Sequence, residues 1–290
     1  MKTDFPVKID RRRFVACAAA IAVAPRLAFA NPLGLPAGIQ LYSVRDQMKQ
    51  DLDMALAGVA AAGFKEVESA ALPKKSAKEI RSALDKAGLK CVSSHHGFAD
   101  INADPAAVFA YDAELGSKFI ICASPAHRDP TVKGATFSLD DWKFCAENFN
   151  RWADAAEKHG LKLGYHNHIH EFDVVDGTSP YELLLKECDP KKMTFEMDCG
   201  WVRVAKQDPI ALMEKHPFRF SMLHVKDFHL TTGGEAKVTE LGKGDIDYVP
   251  LFAQARKNQH IQHAFVEQEA FDMPWQQSLK IDADYLRGLH

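Results

Sequence analysis

Histidines and carboxylates gather at five places in the 290-residue chain. These are His95-His96; His166-Asn167-His168 with His170-Glu171 just beyond; Glu196-Met197-Asp198; His224-Val225-Lys226-Asp227; and Glu267-Gln268-Glu269. Each group closes a short apolar run, so each stands at the end of an expected strand. Imidazole and carboxylate donors without thiolate suit Mn²⁺, Mg²⁺, Co²⁺ or Zn²⁺, which makes one divalent metal ion the first chemistry to consider. His166 and His168 are two residues apart, and on a strand both imidazoles face the same side. A lone strand-end histidine is more often a surface or hydrogen-bonded residue. The joint appearance of Asp198, His224 and Glu267 on three consecutive strands is what points to a metal.

The elements that must position these residues are legible in the apolar pattern. From residue 38 onward, short β-branched runs alternate with longer stretches of helical periodicity. Strands are expected at 38–44, 66–69, 90–94, 119–123, 161–167, 193–198, 219–225 and 261–267, and helices at 52–62, 77–87, 106–115, 142–159, 181–187, 209–215, 248–257 and 275–289. Gly63, Gly88, Gly116 and Gly160 stand where helices end, a place for the left-handed conformation that glycine adopts without steric cost. Strict alternation means parallel strands with crossover helices. Eight pairs in about 250 residues fit an α/β fold, the (β/α)8 TIM barrel, whose chemistry sits at the C-terminal ends of its strands. An open doubly wound sheet is the competing architecture, but Gln40-Leu41-Tyr42-Ser43-Val44 carries no G-x-G-x-x-G turn.

Five segments carry a family likeness: Gly38 to Asp46 (GIQLYSVRD); Tyr165-His166-Asn167-His168 with Glu171-Phe172; Met197-Asp198-Cys199-Gly200-Trp201; Leu223-His224-Val225-Lys226-Asp227; and Leu241-Gly242-Lys243-Gly244-Asp245. In these the chain resembles the sugar phosphate isomerase/epimerase family, also called xylose-isomerase-like TIM barrels, over nearly all of residues 31–290. The resemblance implies one divalent metal held by Glu, Asp, His and Glu from strands five to eight, with the two glutamates exchanging protons with the substrate. Asp198, His224 and Glu267 match the last three positions. The fifth strand departs from the pattern, with His166 where many relatives have Glu. His166 is taken as the fourth ligand, and His168 and Glu171 remain alternatives. The missing glutamate argues against a symmetric two-glutamate epimerisation.

A divalent ion beside adjacent carbonyl and hydroxyl oxygens acidifies the neighbouring C–H, because it stabilises the negative charge that deprotonation develops. The resulting enediolate can be reprotonated on the other carbon, reprotonated on the opposite face, or lose a β-leaving group. Isomerase or epimerase chemistry on a carbohydrate or keto-sugar is the leading expectation. Elimination of the aglycone from a 3-keto-glycoside is the alternative, followed by a non-catalytic carbohydrate-binding barrel. The base must lie within hydrogen-bond reach of the proton it takes. Glu267 is expected to be both ligand and proton carrier, with His168 and Glu171 as further acid–base candidates. Lys226 either steadies an oxyanion or forms a salt bridge with Asp227 or Glu196. Substrate contacts are expected from His95, His96, Gln40 and Trp201, and aromatic walls from Trp201 and Phe228, with Tyr42 and Phe98 as more distant prospects. Lys243 in the Gly242-Lys243-Gly244 loop is the sole hint of a phosphate clamp, and a plain turn is the preferred explanation of it.

Composition narrows the setting. With 47% hydrophobic, 26% charged and 10% aromatic residues, disorder, collagen and coiled coil are excluded. Residues 1–30 combine Arg11-Arg12-Arg13-Phe14, a short apolar run and Ala28-Phe29-Ala30, the pattern of a twin-arginine export signal. The run is too short for a permanent membrane anchor, which needs about 20 residues. Cleavage after Ala30 leaves 30 basic against 37 acidic residues, a poor footprint for nucleic acid. The expected setting is therefore periplasmic, with a small carbohydrate and, in transit, the twin-arginine machinery as partners. Cys91, Cys122, Cys145, Cys188 and Cys199 show no C-x-x-C spacing and read as buried thiols rather than a disulfide frame.

Overall fold

The computed structural model describes residues 33–134, 136–231 and 236–289; the expected export segment at 1–30 lies outside them. The strands are Gly38–Gln40 (β1), Glu66–Ser69 (β2), Lys90–His96 (β3), Phe119–Cys122 (β4), Lys162–His166 (β5), Met193–Asp198 (β6), Phe220–Val225 (β7), Asp227–Leu230 (β8), Ala236–Thr239 (β9) and His263–Val266 (β10). The helices are Arg45–Gln50 (α1), Leu52–Ala62 (α2), Ala77–Ala87 (α3), Phe98–Ala103 (α4), Pro105–Leu115 (α5), Leu139–Glu157 (α6), Pro180–Glu187 (α7), Cys199–Val204 (α8), Pro209–Lys215 (α9), Tyr248–Asn258 (α10) and Trp275–Gly288 (α11).

Eight strands close into a parallel barrel in the order β1-β10-β7-β6-β5-β4-β3-β2, which is the expected (β/α)8 architecture. The pair β8–β9 stands outside it as an antiparallel hairpin. Helix starts are set locally: Ser76 with Glu79, and Ser138 with Asp141, form reciprocal capping boxes that begin α3 and α6, satisfying amides that have no partner inside the helix. Gly63, Gly88 and Gly116 close α2, α3 and α5 in the left-handed conformation, as the sequence pattern required.

The structure differs from the pattern in four places. The first strand stops at Gln40, because the Gln40 side chain accepts the Tyr42 amide and turns Leu41–Val44 into a 3-10 helix. Short helices α1, α4 and α8 follow the ends of β1, β3 and β6, where alternation offered no helical signal long enough to read. The β8–β9 hairpin was not expected. It arises because Asp227 accepts the amides of Phe228, Gly242, Gly244 and Ile246, pinning the chain on the far side of the hairpin to its start. Finally, β5 ends at His166, so His168 stands beyond the strand.

Two apolar layers hold the barrel. The larger lies between strands and helices; the smaller fills the barrel interior with Phe119, Ile121, Met222 and Phe265. Glycines on the inner face make room for it: a Cβ on Gly38 would lie 2.7 Å from the Phe265 ring, and one on Gly164 would lie 2.5 Å from Ile121. The inward residues one step further along the strands are polar. All five described cysteines are buried and free. Burial pushes the Cys91 thiol up to about 11 and those of Cys145 and Cys188 to about 12, so they behave as small apolar residues. Among the described residues no helix is long and apolar enough to cross a membrane.

Candidate active site

Strand register builds the site. His166 pairs with Glu196, Asp198 with His224, and Phe265 with His224 across neighbouring strands. Side chains alternate along a strand, so Glu196 and Asp198 share the inner face of β6, and Met222 and His224 that of β7. A register shift at Phe195/Glu196 and another at Val67/Glu68 fall beside the polar residues, where bulges re-aim side chains. Above the apolar plug the barrel therefore carries two stacked polar layers.

The upper layer is the expected cage. One donor atom from each of His166, Asp198, His224 and Glu267 lies within 4.8 Å of the others. Asp198 Oδ2 is 3.7 Å from His166 Nε2 and 3.9 Å from His224 Nδ1, and Glu267 Oε2 is 3.1 Å from His224 Nδ1. An ion bonded at about 2.0–2.1 Å to nitrogen and oxygen holds its ligands about 3.3 Å apart in a tetrahedral shell, and the observed spacings bracket that figure. Asp198 Oδ2 is buried and, beyond its ion pair with Lys226 Nζ at 3.0 Å, has no hydrogen-bond partner, so this oxygen is turned toward positive charge. The residues present fit a divalent ion.

Lys226 is fully buried among three carboxylates, with its Nζ 2.6 Å from Glu267, 2.6 Å from Glu269 and 3.0 Å from Asp198. Its salt-bridge partners are these, rather than Asp227 or Glu196. Burial opposes the Glu267 charge, but Lys226 and His224 hold its carboxyl well below the usual carboxylate range, so it is ionised at neutral pH. Burial pushes Asp198 up to about 6 against the pull of Lys226.

The lower layer contains a residue that the sequence reading missed. Glu68, at 0% exposure on β2, accepts Gln40 Nε2 at 2.8 Å and Ser93 Oγ at 2.5 Å, and its Oε2 lies 2.6 Å from His224 Nε2. The signal that could have found it is a charged residue inside a strand that the fold covers on both faces. Glu196 Oε2 lies 2.7 Å from His95 Nε2 and 2.9 Å from His166 Nδ1. Burial disfavours the His95 cation, yet Glu68 and Glu196 lift its pKa to about 9.

The other expected site residues divide. His95, His96, His168, Trp201 and Glu267 line one cavity of about 480 Å³. His96 is held there by Asp112 at 2.9 Å. Burial lowers the pKa of His168, which keeps its imidazole neutral. The buried Trp201 Nε1 has no hydrogen-bond partner, and Phe228 backs its ring at 5.3 Å. Tyr42 also lines the cavity. Gln40 instead belongs to the lower layer through Glu68. Glu171 is spent on Tyr165 Oη at 2.6 Å and the His168 amide at 3.0 Å, which places it outside the cage. Phe98 packs with Phe144, Phe149 and Trp152 in the outer core rather than forming a wall. Lys243 is exposed in the turn pinned by Asp227.

A closed parallel barrel with a His–Asp–His–Glu cage at the strand ends defines a class of small-molecule enzymes on a TIM barrel. The profile of the xylose isomerase-like TIM barrel family matches residues 56–289, and the chain belongs to that family. It is similar to an inosose dehydratase of Clostridium beijerinckii, 24% identical over 259 residues that cover 79% of this chain and 86% of the relative. It is also similar to a sugar phosphate isomerase/epimerase of Parabacteroides distasonis, with a TM-score of 0.72 and 28% identity over 86% of this chain and 96% of the other. A second structure, a xylose isomerase-like barrel of Mycobacterium smegmatis in complex with magnesium, superposes with a TM-score of 0.66 at 14% identity, covering 88% of this chain and 96% of the other.

Proposed function

We propose that this protein is a divalent-metal-dependent enzyme that removes a proton next to the carbonyl of a carbohydrate or keto-sugar, with an isomerase or epimerase outcome. The observation that carries the reading is the cage of His166, Asp198, His224 and Glu267 opening into a cavity lined by histidines and Trp201. The ion, when bound there, supplies Lewis-acid stabilisation of charge developing on substrate oxygens. The chain's own residues do the rest. Glu267, ionised and fixed by Lys226, accepts the proton; neutral His168 stands at the same cavity as the second acid–base group. Trp201 lines the cavity and offers an aromatic surface to a sugar ring.

A second reading is elimination. It is favoured by His166 in place of a second cage glutamate, because an unlike pair, one carboxylate and one imidazole, suits proton removal on one side and leaving-group protonation on the other. Incubation of the metal-loaded protein with ketoses in D₂O tests the first reading. Deuterium uptake at the carbon next to the carbonyl is expected, and its absence together with no detectable metal binding overturns both. Release of the aglycone from a 3-keto-glycoside decides for elimination. The Arg11-Arg12-Arg13-Phe14 segment supports export to the periplasm in this reading. Replacing both Arg12 and Arg13 by Lys is expected to retain the protein in the cytoplasmic fraction.

A further inference from the structure

We propose that Glu196 is a positioning residue: with Glu68 it fixes which nitrogen each cage histidine turns toward the ion, and the lower polar layer is a hydrogen-bonded support for one ion rather than a second metal site. The inference rests on the metal reading above.

A neutral imidazole has one N–H and one lone pair. His166 points Nδ1 at Glu196 Oε2 at 2.9 Å, so that nitrogen carries the hydrogen and Nε2 presents its lone pair beside Asp198. His224 is the mirror case. Its Nε2 points at Glu68 Oε2 at 2.6 Å and at Glu196 Oε2 at 3.2 Å, so Nδ1, which hydrogen-bonds Glu267 Oε2 at 3.1 Å, is the nitrogen left to exchange its proton for an ion. The two ligands are therefore held in opposite tautomers. His95 Nε2 lies between the two carboxylates, 2.9 Å from Glu68 and 2.7 Å from Glu196, and offsets the cost of burying both.

The same residues also contain a possible four-donor group, His95, His166, Glu196 and His224, so a second ion is the rival. Spacing decides between them. Around Glu196 Oε2 the nitrogens of His95 and His166 stand at 2.7 and 2.9 Å, hydrogen-bond distances shorter than the 3.1 to 3.9 Å between donors of the cage, whereas ligands of one ion stand about 3.3 Å apart.

The experiment is metal titration of the full chain with Co²⁺, read by calorimetry and by the visible Co²⁺ absorption band. The wild type is expected to bind one ion. Glu196→Gln keeps the shape but loses the charge, and is expected to bind about 10- to 100-fold more weakly, the usual effect of removing a carboxylate behind a metal-bound histidine, with a shifted absorption band. Unfolding in EDTA verifies that the variant folds. If it does not, the Zn²⁺-loaded wild type carries the test through imidazole ¹⁵N spectra, where His166 protonated at Nδ1 and His224 at Nε2 are expected. Two ions per chain, an unchanged affinity, or the opposite tautomers overturn the proposal. A wild type that binds no ion overturns the metal reading itself.

Discussion

At the scale of single residues, the site separates charge from reactivity. Lys226 is buried where it neutralises part of the cage, and it holds Glu267 as a carboxylate rather than an acid. Glu267→Gln should therefore lower kcat by about 10²- to 10⁴-fold, the range for loss of a general base, while substrate KM moves little; steady-state kinetics on a substrate identified by deuterium uptake checks this. The sequence singles out Asp198, His224 and Glu267 because each closes an apolar strand with a polar donor. It left Glu68 hidden, because β2 carries two glutamates, Glu66 and Glu68, and nothing along the chain marks which of them the barrel buries. Nor does it show the partners that Gln40 and Glu171 take, Glu68 and Tyr165, which are invisible along the chain.

At the scale of elements, close approach and burial tie the cage to its surroundings. Helix α8 follows β6 directly, and its Gly200 lies so near Lys226 that a Cβ would be 2.3 Å from Cγ and 2.9 Å from the Phe228 ring. Gly200→Ala should displace Lys226 from Asp198 and Glu267 and destabilise the fold by about 1–3 kcal/mol, as overpacking does, seen as an earlier urea midpoint together with reduced turnover. Helix α11 carries a second buried acid, Asp282, which accepts the Leu241 amide at 2.7 Å. Burial, with Glu240 adding to it, pushes its carboxyl up to about 7. The folded state thus keeps a proton that the unfolded chain releases near pH 4. The associated stability is complete below about pH 4 and is lost as pH rises toward 7. Asp282→Asn should flatten that slope, so that its melting temperature relative to wild type is higher at pH 8 than at pH 5.

At the scale of the whole molecule, the barrel brings four donor residues at the ends of four strands around one point, and none of them is preorganised in the unfolded chain. Binding of the ion should then stabilise the fold by mass action, by about 4 kcal/mol when free metal is 1,000 times the Kd. EDTA should accordingly lower the melting temperature, with recovery on adding Mn²⁺ or Zn²⁺; identical melts with and without chelator would count against the cage. What the sequence determined by itself was the repeating strand–helix rhythm, the glycine helix ends and the run of polar strand ends, because these are local consequences of backbone periodicity and side-chain type. What only the tertiary structure decided was which polar residues meet. Barrel closure and strand register bring Glu68 from β2 against His224 of β7, set Glu196 beneath both cage histidines and turn Glu171 away. These are contacts between residues up to 156 positions apart, fixed by the geometry of a closed sheet that no single segment contains.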